Sequence, residues 1–253
     1  YVFDRDQGGL NDWGQTAKIT ANDAQAHDRF GSAVALAGDT AAIGAPNEDT
    51  AELDAGAVYV FARDQGGTDN WGQMVKVTAA DAQADDRFGQ TIALSPNRLI
   101  VGAPGDDDAG FDAGAAYVFD RNEGGTDNWG EIIKKTAAYH QPGNRYGLQI
   151  ALDGDHAIVA AVSPCSPESS ASAAYVHERN ALDVIDSWGQ VAELSAADAL
   201  LAPRFGIPTA ISVDTAVLGA PGEDTFGIDG GAVYLFDRNE GGTLAWGRVA
   251  KLS

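Results

Sequence analysis

Residues 28–78 read DRFGSAVALAGDTAAIGAPNEDTAELDAGAVYVFARDQGGTDNWGQMVKVT. Short runs of small, β-branched and aromatic residues alternate here with turn residues, which is typical of strands joined by tight connections. Gly38-Asp39 favours a hairpin turn, and Pro46 ends the second strand because proline cannot donate to a sheet ladder. We therefore predict an antiparallel sheet of four strands, at 32–36, 40–45, 56–62 and 73–78.

The whole pattern recurs every 58 or 59 residues along the 253-residue chain. Four-stranded sheets that repeat at a fixed spacing predict an all-β fold, a β-propeller in which each blade buries its apolar face against the next. The glycines and the β-branched alternation exclude a helical solenoid. We predict one repeat domain over 1–253, with a half repeat at 1–20 and full repeats at approximately 21–78, 79–136, 137–195 and 196–253.

Two kinds of aromatic residue mark the period: a tryptophan, and a phenylalanine or tyrosine between an arginine and a glycine. We interpret both as fillers of the wedge between adjacent blades. In the second kind the aromatic residue is preceded by arginine and followed by glycine, which permits a sharp backbone where a strand begins. The arginine is interpreted as a blade-to-blade ion pair or a carbonyl clamp, with ligand binding as the alternative. The first kind is Trp13, Trp71, Trp129, Trp188 and Trp246; the second is Arg29-Phe30-Gly31, Arg87-Phe88-Gly89, Arg145-Tyr146-Gly147 and Arg204-Phe205-Gly206.

The formal net charge is −21, from 28 Asp and 9 Glu against 11 Arg and 5 Lys. So acidic a surface repels phosphate groups, which excludes nucleic acid and anionic lipid as partners. Two causes explain the aspartate: cation coordination by loop carboxylates, or a halophilic protein in concentrated salt that screens the repulsion. The sequence leaves both open.

The single cysteine, Cys165, excludes an intramolecular disulfide, and no apolar stretch is long enough to span a membrane. Tyr1-Val2-Phe3 aligns with Tyr59-Val60-Phe61, in the middle of a repeat. We therefore expect the native protein to begin earlier.

The order of two short motifs resembles a known family. Phe30-Gly31 is followed by Gly44-Ala45-Pro46, and the same order recurs at Phe88-Gly89 with Gly102-Ala103-Pro104 and at Phe205-Gly206 with Gly219-Ala220-Pro221. This order resembles the FG-GAP repeat, which builds the propeller of integrin α chains, and is similar to its microbial subtype. The resemblance implies an extracellular binding or adhesion module. The integrin calcium loop cannot be carried over, because the first hairpin of each repeat is too short here.

Acidity lies instead in the loop between the second and third strands, where it forms the candidate cation site. Calcium binds through several hard oxygens on a flexible loop, so we expect Ca²⁺ there more than Mg²⁺, with solvated loop tips as the alternative. Repeat three breaks the pattern, since its loop, 163–170, holds one acid and two prolines. The candidate ligands are Glu48, Asp49, Asp54, Asp106, Asp107, Asp108, Asp112, Glu223, Asp224 and Asp229.

No catalytic signature appears in the sequence. His27, His140, His156 and His177 have no metal-ligand spacing, and the carboxylates occupy repeated positions, whereas catalytic residues are normally unique. We predict a non-catalytic binding or adhesion module, extracellular or on the cell surface, whose partner is a protein, a glycan or copies of itself. The alternatives are a structural building block of a surface layer, filament or sheath and, less expected, a hydrolase.

Overall fold

The computed structural model describes residues 1–138, 142–162, 172–180, 186–196, 204–225, 227–242 and 245–253. All regular elements in these ranges are β-strands, and they form one two-stranded hairpin and four four-stranded sheets. No helix in the described ranges is long and apolar enough to cross a bilayer.

The strands follow one another in simple up-and-down order, so every pairing within a sheet is antiparallel. The hairpin comes first, β1 (Val2–Gly9) with β2 (Asp12–Ala17). Blade 1 is β3 (Ala33–Ala37), β4 (Thr40–Ala45), β5 (Ala57–Ala62) and β6 (Gly72–Val77); blade 2 is β7 (Thr91–Leu94), β8 (Arg98–Ala103), β9 (Ala115–Asp120) and β10 (Gly130–Lys135). Blade 3 is β11 (Gln149–Asp153), β12 (His156–Ala161), β13 (Ala173–Glu178) and β14 (Gly189–Ser195); blade 4 is β15 (Thr209–Ser212), β16 (Thr215–Ala220), β17 (Ala232–Arg238) and β18 (Trp246–Leu252).

The blades are arranged radially. The first strands β3, β7, β11 and β15 lie side by side, as expected when the first strand of each blade is nearest a common axis. The predicted all-β propeller of four-stranded blades with a leading half blade is therefore confirmed. In blade 1 the predicted strand limits agree with the observed ones to within one residue.

The core lies between neighbouring blades. Val58 and Val60 of β5 pack in one buried cluster with Leu99, Tyr117 and Phe119 of blade 2. Burying a side chain of this size contributes about 1.5–3 kcal/mol, so the repeated interfaces are the main source of stability. Equivalent clusters join the half blade to blade 1, blade 2 to blade 3, and blade 3 to blade 4.

The aromatic residue of each Phe/Tyr-Gly pair packs against two rings of the third strand in its own blade. Phe88 is fully buried, and its ring makes edge-to-face contacts with Tyr117 at 5.4 Å and Phe119 at 5.8 Å between centroids. Such pairs contribute about 0.5–1.5 kcal/mol beyond burial. The other blades repeat the arrangement with Phe30, Tyr146 and Phe205.

Glycine sets the distance between blades. A Cβ on Gly102 of β8 would overlap the carbonyl oxygen of Gly147, which begins blade 3 with φ of +89°. The two backbones are therefore in direct contact, which a side chain would prevent. Blade 3 has Ala160 at the position of Gly102, opposite Gly206 of blade 4.

The tryptophans before the last strands have an unusual backbone. Trp71, Trp129 and Trp188 are buried with positive φ of 50°, 53° and 43°, a conformation that bulky residues rarely adopt. The Trp71 N–H donates to the Arg63 carbonyl at 2.7 Å, and the Arg63 guanidinium lies 5.5 Å from the centre of the Trp71 ring. The Trp71 ring packs in the buried cluster between the half blade and blade 1, and Trp129 and Trp188 pack in the next two inter-blade clusters, while Trp13 of the half blade is 65% exposed.

Candidate functional site

The blades present two different ends. In an up-and-down sheet, the loop between the second and third strands emerges at the same end as the segment that leads to the next blade. This end carries the three acidic loops, and we call it the acidic rim: residues 47–55, 105–113 and 222–230, Phe226 lying outside the described residues, with the preceding segments 21–29 and 79–87.

Each acidic loop is closed by its own aspartates. The Asp107 carboxylate accepts a hydrogen bond from the Asp112 N–H at 2.5 Å, and Asp112 itself has a positive φ of 46°. Asp49 with Asp54 and Asp224 with Asp229 repeat this bond at 2.7 and 2.8 Å. These aspartates share a repeat position because the loop turn requires them, since short polar side chains tolerate left-handed backbone.

A lysine lies at the centre of the acidic cluster in blade 2. Lys134 of β10 places its Nζ 2.7 Å from Asp81, 2.7 Å from Asp106 and 2.6 Å from Asp108. The Tyr117 hydroxyl donates to Asp106 at 2.8 Å and lies 2.9 Å from Asp81. Asp106 is buried, so its charge is compensated by neighbours rather than by water.

Blades 1 and 4 have the same arrangement. Lys76 contacts Asp23 and buried Glu48, each at 2.8 Å, and also donates to the Thr50 hydroxyl at 2.9 Å. Lys251 contacts Glu223 at 2.9 Å and Thr225 at 3.0 Å.

The electrostatics of the cluster favour its charged form. Burial disfavours the ammonium of Lys134, but its hydrogen bonds to Asp106, Asp108 and Asp81 outweigh this and raise its pKa. Burial likewise opposes ionisation of Asp81, yet hydrogen bonds from Lys134 and Tyr117 hold the pKa of that carboxyl below its ordinary value. The ammonium of Lys134 and the carboxylate of Asp81 are thus both charged at neutral pH.

The same cluster is the candidate metal centre. Asp81, Asp106 and Asp108 each offer an oxygen within 4.8 Å of the others, and within the described ranges no other group of His, Cys, Asp or Glu does so. Three carboxylates in this arrangement have the chemistry to hold a metal ion. However, Lys134 Nζ already contacts all three, so a metal ion there requires the ammonium to leave. The residues as placed do not fit Ca²⁺.

The sequence-predicted ligands are therefore only partly brought together. Asp106 and Asp108 meet in the cluster, while Asp107 and Asp112 serve the loop turn, and Asp112 also pairs with Arg145 of the next blade at 3.4 Å. Asp81 was missed because it lies outside the loop, and Lys134 because a lysine in an alternating strand resembles an ordinary exposed position.

The arginines of the repeated triplet adopt a common turn. Arg29, Arg87, Arg145 and Arg204 have φ between 49° and 57°, and each carbonyl accepts the N–H three residues later. The side chain of Arg145 makes the blade-to-blade pair with Asp112, while Arg29, Arg87 and Arg204 are exposed. Their proposed pairing role stays a prediction.

Three large apolar side chains project from the acidic rim. Leu53, Phe111 and Ile228 occupy the same repeat position, and they are 63%, 70% and 92% exposed. The Leu53 carbonyl accepts the Asp85 N–H at 2.8 Å, and the Phe111 carbonyl accepts the Gly143 N–H at 2.7 Å, so the next blade anchors both backbones. Alignment of the loops among repeats would have found this position.

Blade 3 differs at several repeat positions. Glu193 stands opposite Tyr175, where the other blades have a lysine opposite tyrosine. Tyr146 and His177 replace the usual phenylalanine pair, with the Tyr146 hydroxyl 2.5 Å from His177 Nε2 and His177 Nδ1 3.1 Å from the Trp188 carbonyl. Cys165 and the divergent loop 163–170 lie outside the described residues.

The opposite end, with the short hairpins, contains a cavity of about 590 Å³. Its charged lining residues pair with one another or with neighbours: Arg98 with Asp120 and, at 3.2 Å, with Asp186, and Arg179 with Asp155 at 3.4 Å. Of the three described histidines, His27 is exposed, His156 lies 3.4 Å from Glu178, and His177 is held by Tyr146, so the last two make structural contacts.

Comparison with known proteins agrees with the repeat pattern. A family model described as FG-GAP repeat matches residues 13–61, 71–119 and 188–236, which together exceed half of the chain. Among curated proteins, none matches this sequence.

Proposed function

The chain belongs to the FG-GAP repeat family, and we propose that it is an extracellular, non-catalytic binding module that contacts its partner with the acidic rim. The observation that carries this proposal is the set of three equivalent apolar side chains, Leu53, Phe111 and Ile228, which are exposed on the acidic loops, with the backbones of Leu53 and Phe111 held by hydrogen bonds from the next blade. Exposed apolar groups rimmed by charge are typical of protein-binding surfaces.

The chemistry of the rim indicates the kind of partner. Each apolar tip is followed by an aspartate, Asp54, Asp112 or Asp229, and the whole chain has a net charge of −21. A protein surface with apolar pockets bordered by Lys and Arg fits this pattern, because complementary charge speeds and orients association. A glycan is the alternative ligand, but it offers less apolar surface for contact with these three side chains.

The experiment compares two sets of substitutions. Leu53→Ser, Phe111→Ser and Ile228→Ser together remove the tips, while Leu10→Ser with Val213→Ser removes two equally exposed apolar residues far from the acidic rim. Binding is measured on a panel of basic extracellular proteins and on a glycan array. We expect the triple variant to lose binding at least about tenfold with an unchanged melting temperature, and the control to bind normally. Equal binding by wild type and triple variant would refute the proposal.

Calcium stabilisation of the loops stays a prediction. The family resemblance and the gathered negative charge support it, and the position of Lys134 argues against it in blade 2. Thermal melts in calcium and in chelator at one high ionic strength decide the matter. Coincident melting temperatures exclude a structural role for calcium.

A structural building block is the second candidate function. Val34 and Leu36 of β3 are 72% and 66% exposed, although the equivalent Ile92 of blade 2 packs in the interface with blade 1. Val217 and Val233 of blade 4 are also exposed. Faces of this kind would support contact between copies, and a building block should polymerise at high concentration. Elution volume and electron microscopy distinguish it from an isolated binding module.

A further inference from the structure

The few lysines of this chain are not scattered. Four of the five lysines occupy one repeat position in or just after the last strand of a repeat: Lys18, Lys76, Lys134 and Lys251. In every described blade with an acidic loop, the amino group of this lysine contacts the buried acid of that loop, at distances of 2.7–2.9 Å.

Blade 3 shows that the lysine and the acid are lost together. Its strand β14 has Glu193 at the lysine position, opposite Tyr175. In the sequence, the position of the buried acid is occupied by Pro164. Keeping either partner alone would leave an uncompensated charge, so their joint loss is expected if each is needed to neutralise the other.

We propose that Lys76, Lys134 and Lys251 are the built-in cations of the acidic loops, which therefore close without a bound metal ion. An ammonium has three N–H donors. Lys134 directs them to three carboxylates, and Lys76 directs them to Asp23, Glu48 and the Thr50 hydroxyl. The donors and acceptors match in number.

A metal ion is excluded by position as well as by charge. Ca²⁺ takes about six to eight oxygen ligands at roughly 2.3–2.6 Å. In blade 2, Lys134 Nζ lies 2.6–2.7 Å from an oxygen of each of the three carboxylates, so it occupies the position between them that the ion would need. A divalent ion and an ammonium cannot share that centre, because their repulsion is strong where little water screens it. Removal of the lysine side chain should therefore turn the cluster into a metal site.

The test replaces Lys134 by alanine. Wild type should melt at the same temperature in calcium and in chelator. Lys134→Ala should melt about 4–8 °C lower in chelator, because three carboxylates lose their shared donor, and calcium should restore much of this shift. Terbium, a calcium substitute whose emission nearby Tyr117 excites, should bind the variant at least about tenfold more tightly than wild type.

Two matched variants distinguish the proposal from general destabilisation. Lys18→Ala removes the same residue at the same repeat position, but residues 1–20 of the half blade place no acidic loop beside it, so neither melting nor terbium binding should change. Lys76→Ala leaves two carboxylates and a hydroxyl, so it should gain a weaker terbium response than Lys134→Ala.

Two results would overturn the proposal. One is a wild-type melting temperature that calcium raises and that chelator lowers. The other is a Lys134→Ala protein with unchanged melting and no gain of terbium binding. If Lys134→Ala does not fold in chelator, Lys134→Gln supplies the second variant, since its amide keeps donors in the cluster; folding of Lys134→Ala in calcium alone would then support the proposal.

Discussion

Replacing His177 by phenylalanine tests how blade 3 accommodates polar groups inside an aromatic interface. Both rings are buried, and each supplies the other's hydrogen bond: the Tyr146 hydroxyl donates to His177 Nε2, while His177 Nδ1–H donates to the Trp188 carbonyl. His177→Phe leaves the Tyr146 hydroxyl without a partner, and Tyr146→Phe leaves Nε2 without one. Each single variant should cost about 1–3 kcal/mol at pH 7.5.

The double variant should be more stable than the two single variants suggest, because it recreates a pair that the other blades already use. Phe88 with Phe119 occupies these positions in blade 2. We expect a coupling free energy of at least about 1 kcal/mol in a double-mutant cycle.

The same histidine makes stability depend on pH. Burial, together with a smaller contribution from the charge of Lys135, lowers the pKa of His177 from its ordinary value of 6.5 to about 4. Between these two pH values, His177 is protonated in the unfolded chain but neutral in the folded protein. Stability is therefore fully present above pH 6.5 and falls as the pH drops towards 4, by about 3 kcal/mol at most.

Urea unfolding followed by circular dichroism, at several pH values from 7.5 to 4.5, measures both effects. Other groups also titrate in this range, so the informative quantity is the difference between wild type and the double variant. As the pH falls, the double variant should become more stable relative to wild type, because only wild type contains His177. Additive single variants, or a wild type and a double variant with parallel pH profiles, would refute the reasoning.

Three further predictions concern the blade interfaces and the charge. Gly102→Ala should destabilise by about 1–3 kcal/mol because its Cβ meets the Gly147 carbonyl, whereas Ala160→Gly should cost less than about 1 kcal/mol; urea midpoints compare them. Arg98→Thr, which installs the residue of blades 1 and 4, should cost about 1–3 kcal/mol in the same assay, because Asp120 and Asp186 lose a shared partner. For the halophile hypothesis, the melting temperature should fall as NaCl is lowered from 3 to 0.1 M, and a flat response contradicts it.

The strands were predictable because their signals are local. Alternation over residues such as Gln73 to Thr78 and turn residues such as Gly38-Asp39 fix a strand and its end without reference to the rest of the chain. The period then supplies the propeller, since identical units can only bury their apolar faces against one another. For this reason the fold could be predicted nearly completely.

The acidic cluster was less predictable because its members come from three separate segments. Asp81, Asp106 and Lys134 are brought together by the packing of a linker, a loop and a strand. A count of carboxylates in the loop identified acids but not what neutralises them. The positive φ of Trp71 was also beyond reach, because no local pattern indicates a left-handed conformation for a bulky residue.

The methyl group of Ala160 means that the molecule is not equally strong along its length. Gly44 and Gly102 bring consecutive sheets into backbone contact, but the junction that follows Ala160 must hold its two sheets slightly apart. A pulling force or a transient opening should therefore separate the described strands of blade 3 from those of blade 4 first. Exchange of amide protons there should be the fastest of the three junctions between complete sheets.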